Sequence, residues 1–63
     1  MNKQKFENIM YSGAAVYEHT EAWDGESAHI TTLYVAGNAV AVREIVNGVE
    51  TYYVPQDLSL IHI

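Results

Sequence analysis

Three turn signals divide nearly everything after residue 12 into strands. Asp24-Gly25, Gly37-Asn38 and Asn47-Gly48 each sit between segments rich in Val, Ile, Thr and Tyr. Asp-Gly and Asn-Gly accept positive φ at both central positions, as a type I′ hairpin turn requires, while Gly37-Asn38 fits a turn with glycine first. Tight turns in succession send the chain up and down, so the sequence predicts a mainly β fold built as an antiparallel meander. The expected strands are 14–22, 27–36, 39–46, 49–54 and 58–63. Pro55-Gln56-Asp57 separates the last two, because Pro55 has no N–H to give to a ladder. Ahead of the strands, Phe6, Ile9 and Met10 recur at helical spacing and predict a short amphipathic helix over 3–11, ended by Ser12-Gly13. A helix this short is marginal alone and must pack on the sheet or cap an open end.

Size sharpens the requirement. The chain has 63 residues, one domain near the lower limit for independent folding, where only about 60% of the unfolded chain's surface is buried. It contains no Cys, so neither a disulfide nor a thiolate-bound metal supplements the core. The remaining aids are complete packing and self-association. Absence of Cys suits a reducing compartment, and a cytoplasmic location is expected. The start, Met1-Asn2-Lys3-Gln4-Lys5, leads into no long apolar run, so neither a signal peptide nor a membrane span is expected. Met1 reads as the start of a whole small protein.

The segment Tyr52-Tyr53-Val54-Pro55-Gln56-Asp57-Leu58-Ser59-Leu60-Ile61 resembles the end of small SH3-like and Sm-like β-barrels. There a strand enters a short helical turn, often at a Pro, and a final apolar strand closes the barrel. A helix ahead of five strands is similar to the Sm-like arrangement. The resemblance implies a small five-stranded barrel; the alternative is an open meander with the helix across one face. The glycine- and aspartate-bearing RNA-binding motifs of Sm proteins are not evident, so no RNA-binding residue carries over.

Two-residue turns fix a register, and side chains alternate with period two. Pairing Trp23 with Glu26, Ala36 with Ala39 and Val46 with Val49 puts Val16, Leu33, Val42 and Tyr53 in one apolar row, with Val35, Val40, Val46 and Val49 near its ends. The polar row Glu18, Thr31, Glu44 and Thr51 runs beside it. The opposite face then holds Tyr17, Thr32, Arg43 and Tyr52, flanked by Tyr34 and Val54. Both faces are too apolar for one of them simply to be solvated. One is expected to be covered by the helix or by barrel closure, the other by a partner.

Few constellations suggest chemistry. His19 and His29 fall on opposite faces in this register and His62 lies near the end, so no metal site is expected; zinc wants three or four convergent ligands. Ser12, Ser27 and Ser59 lack a nucleophile elbow or an ordered His and acid. Glu18 and Glu44 are separated by Thr31, and two carboxylates alone do not make an acid–base pair. No enzymatic activity and no cofactor are expected. What stands out is Arg43 between Tyr52 and, beyond Thr32, Tyr17. A guanidinium stacks on a phenol ring and still donates to phosphate or carboxylate. Aromatics and Arg also dominate interface energetics. Tyr34 and Trp23, the latter at the Asp24-Gly25 tip, complete the candidate binding residues.

Charge selects among partners. Residues 6–63 carry eight acids against a single cation, Arg43. That excludes a basic track for a phosphate backbone and favours a basic protein surface. Leu58, Leu60, Ile61 and Ile63 make the final strand an apolar edge with no guarding charge, and a closed homo-oligomer would satisfy it. The expectation is a non-enzymatic binding protein that self-associates and occupies a protein partner. In size and charge it is similar to small phage-type inhibitors of host defence nucleases, such as anti-CRISPR proteins. Two alternatives are an oligomeric sponge for a nucleotide-like small molecule, using Arg43 with Tyr17, Tyr34 and Tyr52, and a small barrel that binds single-stranded nucleic acid.

Overall fold

The computed structural model describes residues 1–13, 15–23, 25 and 27–55. The chain forms one helix, α1 (Lys3–Met10), then four strands, β1 (Val16–Trp23), β2 (Ala28–Val35), β3 (Asn38–Val46) and β4 (Val49–Tyr53). They form a single antiparallel sheet in the order β1-β2-β3-β4. Of the two expected architectures, the described residues form the open meander with a helix; barrel closure is not seen among them. The expected fifth strand, 58–63, and with it Leu58, Leu60, Ile61 and Ile63, lies outside the described residues.

Helix α1 begins where a cap is available. The Asn2 side chain accepts a hydrogen bond from the Lys5 backbone N–H at 2.9 Å, satisfying one of the free donors of the first turn. The chain leaves the helix at Tyr11, whose N–H donates to the Glu7 carbonyl, and Gly13 takes a positive φ that lets it turn back toward the sheet.

Two of the three hairpins close through two-residue turns with positive φ at both central positions, and the first is longer. Asn47 (φ 49°) and Gly48 (φ 84°) form the expected two-residue turn, pairing Val46 with Val49. The second turn sits one residue earlier than expected. Ala36 (φ 53°) and Gly37 (φ 83°) are its central residues, Asn38 starts β3, and Val35 pairs with Asn38. The first connection is longer than expected, with residues 24–27 joining Trp23 to its partner Ala28. Lengthening it by two residues preserves the parity of β1 against β2. Tyr17 therefore keeps its expected face but pairs with Tyr34 instead of Thr32.

A β-bulge changes the faces. Leu33 pairs with Ala41 but Tyr34 pairs with Ala39, which leaves Val40 as an extra residue in β3. Beyond it every β3 residue lies one place away from the straight-ladder register, and Thr32 faces Val42 while Thr31 faces Arg43. The expected apolar row is split accordingly. Leu33, Val16 and Val35 share a face with Ala41, Arg43 and Tyr52, whereas Val42, Tyr53, Val46 and Val49 belong with Tyr17, Thr32 and Tyr34 on the other.

Helix α1 covers the first of these faces. Phe6, Leu33 and Ala41 are fully buried there, with Met1, Ile9, Met10, Val16, Val40 and Tyr52 packed around them. On the second face Ala28, Ile30 and Val42, from the two central strands, are buried as well. Of the residues expected in the core, Leu33 and Val42 are 0% exposed, Val35, Val40 and Tyr53 are half-buried, and Val46 is 37% exposed beside its turn. Leu33→Ala is therefore expected to cost about 2–5 kcal/mol in a urea denaturation series. Val46→Ala should stay within about 0.5 kcal/mol of the parent.

Candidate interaction site

Strand β1 carries the most exposed side chains of the sheet. Every residue from Tyr17 to Ala22 is exposed. On the face away from α1, alternation places Tyr17, His19, Glu21 and Trp23 together. Tyr17 is 63% exposed. Its ring stacks near the His19 imidazole, with centroids 6.5 Å apart and planes 22° apart, and meets the Tyr34 ring of β2 at 5.9 Å and 49°. Offset and tilted contacts of this kind are the favoured aromatic geometries. His19 Nε2 lies 3.0 Å from Glu21 Oε1, so the imidazole is held along the strand.

Ala15, Tyr17, His19, Tyr34, Ala36 and Gly37 line an open groove of about 540 Å³ at the end of the β1–β2 hairpin. Its floor and walls are mainly carbon, with the phenol and imidazole groups as polar handles. Positive φ at Ala36 and Gly37 folds the second turn tightly beside it. A second apolar hollow, of about 440 Å³, lies between the last turn of α1 and the bulge, lined by Asn8, Ile9, Ser12, Val35 and Val40.

The expected grouping of Arg43 with Tyr17 does not form, because the bulge carries Arg43 to the helix side. Arg43 and Tyr52 do pair across β3 and β4. The guanidinium carbon lies 5.2 Å from the Phe6 ring centroid, and the Tyr52 ring meets the same Phe6 at 5.4 Å. Arg43 Nε is buried without a hydrogen-bond partner, and among the described residues no carboxylate lies within ion-pair distance of this side chain. Glu50 borders the cluster. The Tyr52 hydroxyl donates to Glu50 Oε1 at 3.0 Å, and Lys3 Nζ reaches the same oxygen at 3.7 Å. Arg43 thus covers the Phe6 ring with its guanidinium. Tyr34 keeps company with Tyr17; Trp23, half-buried, shares their face from the far end of β1.

His19 lines the groove but lies outside the candidate binding residues read from the sequence, where it figures only in the argument against a metal site. Its signal was present in the period-two spacing Tyr17-x-His19 on a strand that ends up at the sheet edge. Among the described residues no three His, Cys, Asp or Glu side chains converge as metal ligands, and no described helix is long and apolar enough to cross a membrane.

Two phenols titrate late. Burial pushes the Tyr52 hydroxyl above its ordinary value of 10.0, and its hydrogen bond to Glu50 adds to the shift. Burial does the same for Tyr53, with Glu44 beside it. Folding favours the neutral phenols, so their contribution is complete below about pH 10 and is lost as pH rises through the raised values. In an ultraviolet titration Tyr52→Phe and Tyr53→Phe should each remove absorbance from the late part of the curve. Each should also flatten the alkaline loss of stability. Arg43→Met should leave stability within about 1 kcal/mol of the parent, since the lost cation–π contact is offset by removal of a buried unpaired N–H. Arg43→Ala should cost more, because it also removes the stem that covers Phe6.

Comparison with known protein families, with curated proteins and with solved structures finds no match for this chain.

Proposed function

We propose that this chain is a non-enzymatic binding protein that occupies a basic surface of a partner protein through the Tyr17–His19–Tyr34 corner. The observation that carries the reading is the exposed aromatic groove itself. A ring as exposed as Tyr17 sits over an apolar hollow and against two further rings, on a strand whose charged residues are both acidic. Rigid aromatics supply contact area at small entropic cost, and acids at the rim orient a cationic partner. A net charge of −5 at pH 7 acts in the same direction at longer range.

A nucleic-acid channel of a nuclease is a basic surface of the required kind. Occupying it would make the chain a phage-type inhibitor of a host defence nuclease, acting in the cytoplasm. The nucleotide-sponge alternative has less to stand on, since Arg43 and Tyr52 lie on the α1 side and Tyr17 and Tyr34 on the other. The single-stranded nucleic-acid alternative meets the same acidic charge that favours a protein.

The test compares the parent chain with Tyr17→Ala/Tyr34→Ala as immobilised bait in bacterial lysate, followed by affinity measurement on each protein retained. A partner whose affinity falls at least about tenfold in the double variant supports the reading. Retention of nothing, or of proteins that bind both baits equally, overturns it.

A further inference from the structure

Strand β1 is an edge of the sheet and is paired with β2 through all eight of its residues. Among the described residues no strand pairs with its other side. Such an edge offers a row of N–H and C=O groups that no described strand pairs, and natural sheets usually guard such a row with charged side chains, Pro or a bulge. Val16–Trp23 contains no Lys and no Pro, and its ladder with β2 is regular throughout. Its exposure on both faces between Tyr17 and Ala22 also means that α1 does not block the approach of another strand.

We infer that a second copy of this chain pairs with this edge, β1 against β1, antiparallel about a two-fold axis at Thr20. The register follows from the side chains. A two-fold axis perpendicular to the sheet keeps each face continuous, so facing residues must come from the same face of the two copies. An axis at Glu18 or at Glu21 sets like charges directly opposite each other. An axis at His19 sets Tyr17 against Glu21 and leaves Trp23 unmatched. An axis at Thr20 sets His19 against Glu21 of the second copy and Tyr17 against Trp23 of the second copy, each twice over. An imidazole facing a carboxylate it can hydrogen-bond, and an aromatic pair, are favourable cross-strand combinations. On the α1 side the same axis brings the two Thr20 residues together. Each already shares a hydrogen bond with Thr31, at 3.0 Å between hydroxyl oxygens, so the row becomes Thr31-Thr20-Thr20-Thr31.

The pairing produces one eight-stranded sheet from two four-stranded ones. It also completes the aromatic groove, since Trp23 of the second copy arrives beside Tyr17 and supplies an indole wall that a single chain lacks. The dimer stands on the strand edge and the side chains it aligns; the use of the completed groove rests on the partner-binding reading above.

The chain has no cysteine, so single cysteines report the register. Facing residues across an antiparallel pair have separations that a disulfide spans, about 4.4–6.8 Å between Cα atoms. Under mild oxidation Thr20→Cys should form a covalent dimer, and Ala22→Cys, which meets Glu18 in this register, should not. Sedimentation of the unmodified chain should show a dimer. Glu21→Lys should weaken it by about tenfold, since both His19–Glu21 pairs are lost. His19→Glu/Glu21→Lys should restore it by reversing both pairs. A monomer mass for the unmodified chain, equal crosslinking of the two cysteine variants, or preferential crosslinking of Ala22→Cys overturns the proposal. The readout is oligomeric mass and not partner affinity, so its failure is distinct from failure of the partner-binding reading.

Discussion

Burial of the Phe6 ring against Leu33 and Ala41 is the contact on which the rest of the fold depends. The four described strands form one sheet with two faces and, among the described residues, no second sheet to pack on, and an eight-residue helix is not stable by itself. Each therefore supplies what the other lacks, through one aromatic side chain seated at the centre of the sheet. The contact also dictates where the bulge must be. For Leu33 and Ala41 to face each other beneath Phe6, β3 has to carry one residue more than a straight ladder allows, and that residue, Val40, adds its own methyl groups to the same cluster. The core and the irregularity are one event.

The bulge in turn distributes the polar groups. It brings Arg43 beneath α1, where its charge rests on Phe6 and its Nε has no acceptor. Leaving a buried donor unpaired is unfavourable, yet the stem and the face of the guanidinium extend cover over a ring that so short a helix does not enclose alone. The acids that would ordinarily pair with such a cation are engaged elsewhere: Glu50 with Tyr52 and Lys3, and Glu44 with Tyr53. The apolar and aromatic surface left over lies on the opposite side, at Tyr17, His19 and Tyr34.

How much of this was legible in the sequence depended on whether the deciding term was local. The helix was readable from Phe6, Ile9 and Met10, and the Asn47-Gly48 turn from backbone preference alone. The Arg43–Tyr52 pair was readable too, because only that turn lies between them. The second turn was not. Gly37-Asn38 is the better local signal, and left-handed Ala36 is unfavourable by about 1–2 kcal/mol, but pairing across the whole hairpin outweighs one residue's preference. The bulge was invisible for a related reason. Ala39-Val40-Ala41-Val42 reads as unbroken alternation and contains no glycine or proline to mark an interruption. Everything that separates Arg43 from Tyr17 follows from that one unmarked position, and so the candidate site came apart while the strand order survived.

Val40 also bears on how this architecture can vary in length. An unpaired residue between two intact stretches of ladder is a spare. Removing it joins Ala39 directly to Ala41 with the cross-strand partners of both unchanged, at the cost of the packing that Val40 gives to α1. An insertion between Ala41 and Arg43 has no such outlet and would exchange the two faces of everything downstream, taking Arg43 out from under Phe6 and putting Val42 in its place. Chains of this architecture can therefore differ by one residue in the third strand and remain the same molecule in section, provided that the gap falls at position 40.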